Sequence, residues 1–303
     1  MKIISPEMLE KIESNIFPAA HKAVENWKIY PWHTRGSGID TWQPNSSQAL
    51  SIDVFGTIMA FEKAEARDAV MNAIAAELGM EPDRDWEIEL EWMDEENHLN
   101  EPRQTQIDVA AQSSKNLILM ECKFTEQDGG SCSQVKPLPK GEFKGIRQCN
   151  GSYKEQANPV DGSKARCALT AKGIRYWDAI PEIFDFDSGT DYAECPFKGG
   201  WFQWMRNLAL CHELAKACNR HGKAIVVYVD SSHMPFKQKM ASGDWAEFLK
   251  ALKKKTLLST LSYQRVLELG AEALKPFVDE RQAWEGLKKH VQDKVAKAES
   301  ARL

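Results

Sequence analysis

The sequence predicts an α/β fold in three layers, with helices on both faces of a mixed central sheet. Three observations predict it. Helical periodicity gives way to a period of two at Trp86, three strand-like runs follow at short spacing, and a long amphipathic stretch at 200–219 leads straight into a fourth apolar run. At 303 residues, 43% hydrophobic and 27% charged, the chain can bury a substantial core, which excludes disorder, collagen and coiled coil as whole-chain answers. The formal charge of −5 argues against a protein that coats nucleic acid nonspecifically, but leaves room for a local basic groove.

Taken in order, residues 1–27 read as an amphipathic helix pair broken at Pro18, and 30–44 as a loop rich in Trp, Gly and His. Asn45, Ser46 and Ser47 can cap a helix whose apolar members Leu50, Val54, Ile58 and Phe61 recur at helical spacing. A second helix spans about 64–78, stopped by Gly79 and Pro82. Ile88, Leu90 and Trp92 then alternate with Glu87, Glu89 and Glu91, a strand with one acidic face. Residues 104–112 form the next strand, and the apolar run at 116–124 a third that is buried on both faces, so an antiparallel meander is expected. Residues 127–196, broken by many Gly and Pro, read as an irregular insertion. The helix at 200–219 leads through His221 and Gly222 into a buried strand at 224–230, and the chain from Asp244 reads as helical. The organisation is a single domain, 1–303: a core at about 46–126 and 197–235, the insertion at 127–196, and a helical extension at 244–303.

The longest apolar run, 224–229, falls far short of the roughly 20 residues a membrane helix needs. The charged N-terminus lacks a secretory h-region, so a cytoplasmic protein with no membrane partner is expected. Charge is segregated along the chain. Residues 61–101 hold three Lys or Arg against fourteen Asp or Glu, whereas 123–175 hold ten against five.

The chemistry centres on Asp108 and, after twelve intervening residues, Glu121-Cys122-Lys123. Alternate side chains of a strand share a face, so Glu121 and Lys123 point one way and Cys122 into the opposite layer. An ionic pair at the end of a buried strand needs a partner, a metal or a function. Asp108, on the neighbouring strand, supplies a second carboxylate, and two carboxylates suit Mg²⁺ or Mn²⁺. A metal there serves phosphodiester hydrolysis by acidifying a bound water, with Lys123 beside it to position or deprotonate that water and to stabilise the phosphate. The plain alternative is a structural salt bridge at the sheet edge.

These residues resemble the PD-(D/E)xK nuclease superfamily, whose fold is restriction-endonuclease-like. Ser46-Ser47-Gln48 with Phe55-Gly56, the run Glu121–Glu126, and Pro196-Phe197 leading to Gln203, Arg206 and Asn207 are similar to a bacterial branch of restriction endonucleases within it, over roughly residues 46–230. Gln106 and Ile107 stand where a Pro-Asp pair would be the namesake, and a long insertion separates the third strand from the next helix. The resemblance implies that Asp108 and Glu121 bind the metal, that the Cys122 carbonyl is a further ligand, and that Lys123 is catalytic. It also implies Mg²⁺-dependent hydrolysis of DNA, in restriction, defence or repair, with RNA left open as substrate and a homodimer allowed. Its supporting residues each have two readings. Gln48 and Glu62 lie on the first core helix, Gln203 on the long later one, Glu126 just beyond the triplet, and each has an ordinary reading as solvated surface. Glu87, Glu89 and Glu91 could simply blunt a sheet edge, or one of them, Glu91, could face the metal. The rival function is a non-catalytic protein that keeps the fold to bind nucleic acid or a partner.

Four of the seven cysteines, Cys132, Cys149, Cys167 and Cys195, fall in or beside the insertion, which has little apolar material with which to fold itself. A zinc or iron–sulfur site would supply that stability; separations of 17, 18 and 28 residues leave free thiols as the alternative. Cys211 and Cys218 read as core packing on one helix. Lys136, Lys140, Lys144, Arg147, Lys154 and the run Lys253-Lys254-Lys255 could neutralise phosphates, and Trp42, Trp177 and Trp201 could stack bases.

Overall fold

The computed structural model describes residues 4–35, 38–186 and 194–302. A first helix, α1 (Pro6–Asn15), and a short 3-10 turn (Pro18–Ala23) precede the core. The Ser46 hydroxyl caps the next helix by accepting from the Ala49 amide, as its sequence position suggests. That helix, α2, runs through 47–59 with a π-helical middle at Ile52–Gly56. After α3 (Ala64–Glu77) come the strands β1 (Glu87–Met93), β2 (Gln106–Gln112) and β3 (Asn116–Lys123), antiparallel in sequence order.

Helix α4 (Tyr176–Ile183) and the long α5 (Phe202–Ala217) follow, and α5 feeds β4 (His221–Tyr228), which lies parallel to β3. Short helices α6 (Pro235–Met240) and α7 (Gly243–Ala251) lead to β5 (Leu258–Ser262), parallel to β4, and the chain closes with α8 (Tyr263–Ala273) and α9 (Val278–Ser300). The five-stranded order is thus β1-β2-β3-β4-β5.

Every residue of β3 is buried, and alternation sorts its side chains into two cores. Ile118, Met120 and Cys122 join α2, α3, α8 and α9 on one face; Leu117 and Leu119 join α4, α5 and α7 on the other. This is the three-layer arrangement expected. Two expectations need correction. Residues 244–303 are not all helical, because 258–262 form the sheet's edge strand and α9 buries Trp284, Leu287 and Val291 in the first core. Nor is the insertion irregular to its end: α4 buries Trp177, Ile180 and Ile183 against α5.

Candidate active site

The site forms where β2 and β3 part. Their pairing ends at Val109 opposite Met120, and the side chain of Asp108 continues it, its Oδ2 accepting from the Cys122 amide at 2.7 Å. In an extended strand the N–H and C=O of one residue lie on the same edge, so the Cys122 carbonyl also faces the Asp108 side. One residue on, Glu121 and Lys123 point towards α5, while Cys122 packs into the opposite core.

Lys123 Nζ lies 2.9 Å from Glu121 Oε1 and 3.0 Å from Gln203 Oε1, and 5.4 Å from the ring centre of Trp204. Gln203 Nε2 also donates to Glu121 Oε1 at 2.6 Å, and Asn207 Nδ2 to Glu121 Oε2 at 2.9 Å. Gln203 and Asn207 are four residues apart, so one face of α5 presents both amides. The start of α5 is pinned by Gly129, whose carbonyl accepts from the Gln203 amide at 2.8 Å. A Cβ at Gly129 would lie 2.7 Å from the Trp204 indole, so only glycine allows this approach. Gln203 is therefore not solvated surface.

Glu91 departs from the acidic face of β1. Glu87 and Glu89 are exposed, but Glu91 has φ +54°, a left-handed conformation costing of order 1–3 kcal/mol outside glycine, and turns inward. Leu90 and Trp92 stay paired with Val109 and Ile107, so only the Glu91–Asp108 rung is broken. Glu91 Oε1 accepts from Gln48 Nε2 at 2.6 Å and Oε2 from Gln106 Nε2 at 2.8 Å, with His33 Nε2 at 3.4 Å. Gln48 is buried, and its Oε1 accepts from the His33 amide at 2.8 Å, which corrects its reading as a solvated face. His33, Glu91 and Asp108 each offer a ligand atom within 4.8 Å of the others.

The other candidates separate. Glu126 caps the end of β3, accepting from the Phe124 and Thr125 amides at 2.9 and 3.1 Å and holding Ser47 Oγ. Glu62 stands in solvent, 3.2 Å from Lys22, and contributes nothing to this cluster. Trp177 is buried and Trp201 is tied by its Nε1 to Asp244 at 2.9 Å, so both are structural rather than free to stack bases. Trp42 borders a cleft of about 840 Å³ that also takes in His33, Ser47 and Glu126. Cys211 is core as expected, whereas Cys218 is exposed. Cys132, Cys149, Cys167 and Cys195 all border one small cavity of about 30 Å³.

Charge crowding sets the protonation states. Burial, then the carboxylates of Glu121 and Glu91, push Asp108 well above the usual carboxylate range. Burial works against the Lys123 ammonium, but Glu121, Glu126 and Asp108 overcome it and raise Lys123 above its ordinary value. Lys123 is therefore held as an ammonium in the metal-free protein. His33 is opposed by burial yet pushed up to about 9 by its hydrogen bond to Glu91 and the charges of Glu91, Asp108 and Asp40.

A family model described as "Restriction Endonuclease associating with ARP" matches residues 3–269. The chain belongs to this family. No curated protein and no solved structure matches. The restriction-endonuclease-like family accords with the five-stranded mixed sheet and flanking helices. In this restriction-endonuclease-like chain, sequence reasoning missed His33, which lies in a loop and carries no motif. Asn207 stood in the run that carries the resemblance but was given no role, which shows itself only once α5 is known to face β3.

Proposed function

We propose that this chain is a Mg²⁺- or Mn²⁺-dependent endonuclease that hydrolyses DNA phosphodiester bonds, in restriction, defence or repair. The observation that carries the proposal is the convergence of Asp108, Glu121 and Lys123 at the exits of adjacent strands, with Gln203 bridging the last two. Family membership supports a nuclease.

The donor set fits a hard divalent cation. Buried carboxylates crowd one another enough to raise Asp108, and a cation beside them relieves that repulsion. Asp108, Glu121 and the Cys122 carbonyl would hold it, with Glu91, whose ligand atom lies within 4.8 Å of those of Asp108 and His33, in support. Bound there, Mg²⁺ supplies a water of lowered pKa and charge neutralisation at the phosphate. Lys123, kept as an ammonium, stabilises negative charge on the scissile phosphate and fixes the attacking water by hydrogen bonding. Gln203 and Asn207 orient Glu121 and Lys123 by satisfying both, so that neither rotates away when substrate binds. The cleft beside His33 and Trp42 admits the backbone of the nucleic acid. The exposed Lys136, Lys140, Lys144, Arg147 and Lys154 offer the phosphates positive charge.

The test is cleavage of linear and circular double-stranded DNA, single-stranded DNA and RNA, each with Mg²⁺, Mn²⁺ or EDTA. Metal-dependent cutting of circular DNA supports the endonuclease, and cutting of RNA alone overturns the substrate. Tight DNA binding without cleavage in any metal would favour a protein that keeps the fold without turnover.

A further inference from the structure

We propose that Cys132, Cys149, Cys167 and Cys195 together ligate one iron–sulfur cluster. The inference stands on the insertion alone and does not rest on the nuclease reading. Between Phe124 and Ala168 the only hydrophobic side chain that is buried is Tyr153, and regular structure is confined to a three-residue turn and two two-residue strands. Such a segment cannot hold its shape by burying apolar surface, and metal binding supplies folding energy to irregular modules of this kind. Sequence separation spreads the four cysteines over 64 residues, yet all four border the same cavity, under a wall built from Tyr153, Trp177 and Phe197. All four are free thiols.

The backbone around the sulfurs is shaped for thiolates. The Gly151 amide donates to Cys149 Sγ at 3.4 Å, and Gln156 Nε2 to the same sulfur at 3.7 Å. Backbone amides near Cys132, those of Gln134 and Val135, and near Cys195, that of Phe197, favour the thiolate form of each. A neutral thiol is a weak acceptor with little use for such donors, whereas a metal-bound thiolate is stabilised by them. Burial pushes the metal-free thiols of Cys132 and Cys195 up to about 11 and about 12. Loading therefore exchanges an S–H proton at each cysteine for a sulfur–iron bond, with iron ions and inorganic sulfide as the other reactants.

Spacing argues against a single zinc ion. A tetrahedral zinc ion about 2.3 Å from each ligand sets the sulfurs roughly 3.8 Å apart. Among the described residues no three of these sulfurs lie within 4.8 Å of one another. A cluster with an iron at each corner spreads its four thiolates wider than a single ion does.

The experiment is metal analysis of the full-length protein, as isolated without oxygen and after anaerobic reconstitution with iron and sulfide. The expected result is iron and acid-labile sulfide in equal amounts, about four of each per chain, with broad visible absorption. Cys149→Ser and Cys167→Ser should each drop the iron content several-fold, while Cys218→Ser, at an exposed cysteine, leaves it unchanged. One zinc per chain without iron overturns the cluster, and no metal taken up by the wild type overturns the site. Limited proteolysis of the wild type covers the case in which the serine variants do not fold. Loaded protein should resist cleavage within 127–167, and equal cleavage of loaded and metal-free protein contradicts the proposal.

Discussion

Lys123 is held between Glu121 and Gln203 and kept cationic by three carboxylates, and the proposed function gives it an electrostatic part. Lys123→Ala should lower kcat by roughly 10²- to 10³-fold, the scale of losing one fixed donor to a developing charge. Gln203→Ala leaves buried partners unsatisfied and should cost about 1–3 kcal/mol, read as a lower denaturant midpoint; an unchanged midpoint would show that the bridge is not formed. Asp108→Asn should raise the melting temperature of the metal-free protein, because it removes a carboxylate that burial and Glu121 disfavour, and should abolish the stabilisation by Mg²⁺ that the proposed site predicts for the wild type. The pH dependence has a defined sign. A histidine raised from 6.5 to about 9 stabilises fully below pH 6.5, and that stability is lost as pH rises through about 9. Asp108, raised in the folded state, contributes in the same direction. Metal-free protein should therefore melt lower at pH 9.5 than at pH 6.5, and His33→Gln should narrow the difference. A melting temperature that rises over this range would contradict the assignment.

At the scale of elements, the antiparallel meander and the buried strand after α5 were legible because period and burial pattern change together at Trp86 and again at Asn116. The triplet Asp108, Glu121 and Lys123 was legible for the same reason: once two strands are adjacent, alternation decides which side chains share a face. Glu91 and Gln203 were only half legible. The inward turn of Glu91 depends on a left-handed residue inside a strand, which alternation cannot foresee, and the role of Gln203 depends on which face of α5 meets β3. The edge strand β5 was hidden because Leu258–Ser262 is short, half polar and embedded among helices. Helix α9 was likewise read as an appendage, though Gly270 has no room for a Cβ, which would fall 2.3 Å from Trp284. Its Lys294 is buried with its Nζ 2.5 Å from Asp53 Oδ2 in the π-helical turn of α2. Lys294→Met should destabilise by roughly 3–5 kcal/mol by removing the buried ammonium paired with Asp53, which keeps only His290 Nε2 at 3.3 Å and the Phe17 amide, and adding Asp53→Asn should recover much of that loss. Equal stability of the single variant and wild type would show that the pair does not tie α9 to the core.

At the scale of the whole molecule, a net charge of −5 conceals an acidic stretch at 61–101 and a basic one at 123–175. On the proposed function the exposed lysines of the basic stretch meet the phosphates, so DNA affinity should fall steeply as salt rises. Among the described residues no helix is long and apolar enough to cross a membrane. The sheet carries the site on β2 and β3 while α5 supplies the amides from the layer above, so the fold and the proposed chemistry share the same three elements. The most direct test is therefore incubation of supercoiled circular DNA with wild type and Lys123→Ala in Mg²⁺, Mn²⁺ and EDTA. Nicked or linear product that needs the metal and is lost in the variant is the expected result. Intact DNA in every metal, or equal cutting by both proteins, would contradict the assignment of Asp108, Glu121 and Lys123 as a nuclease site.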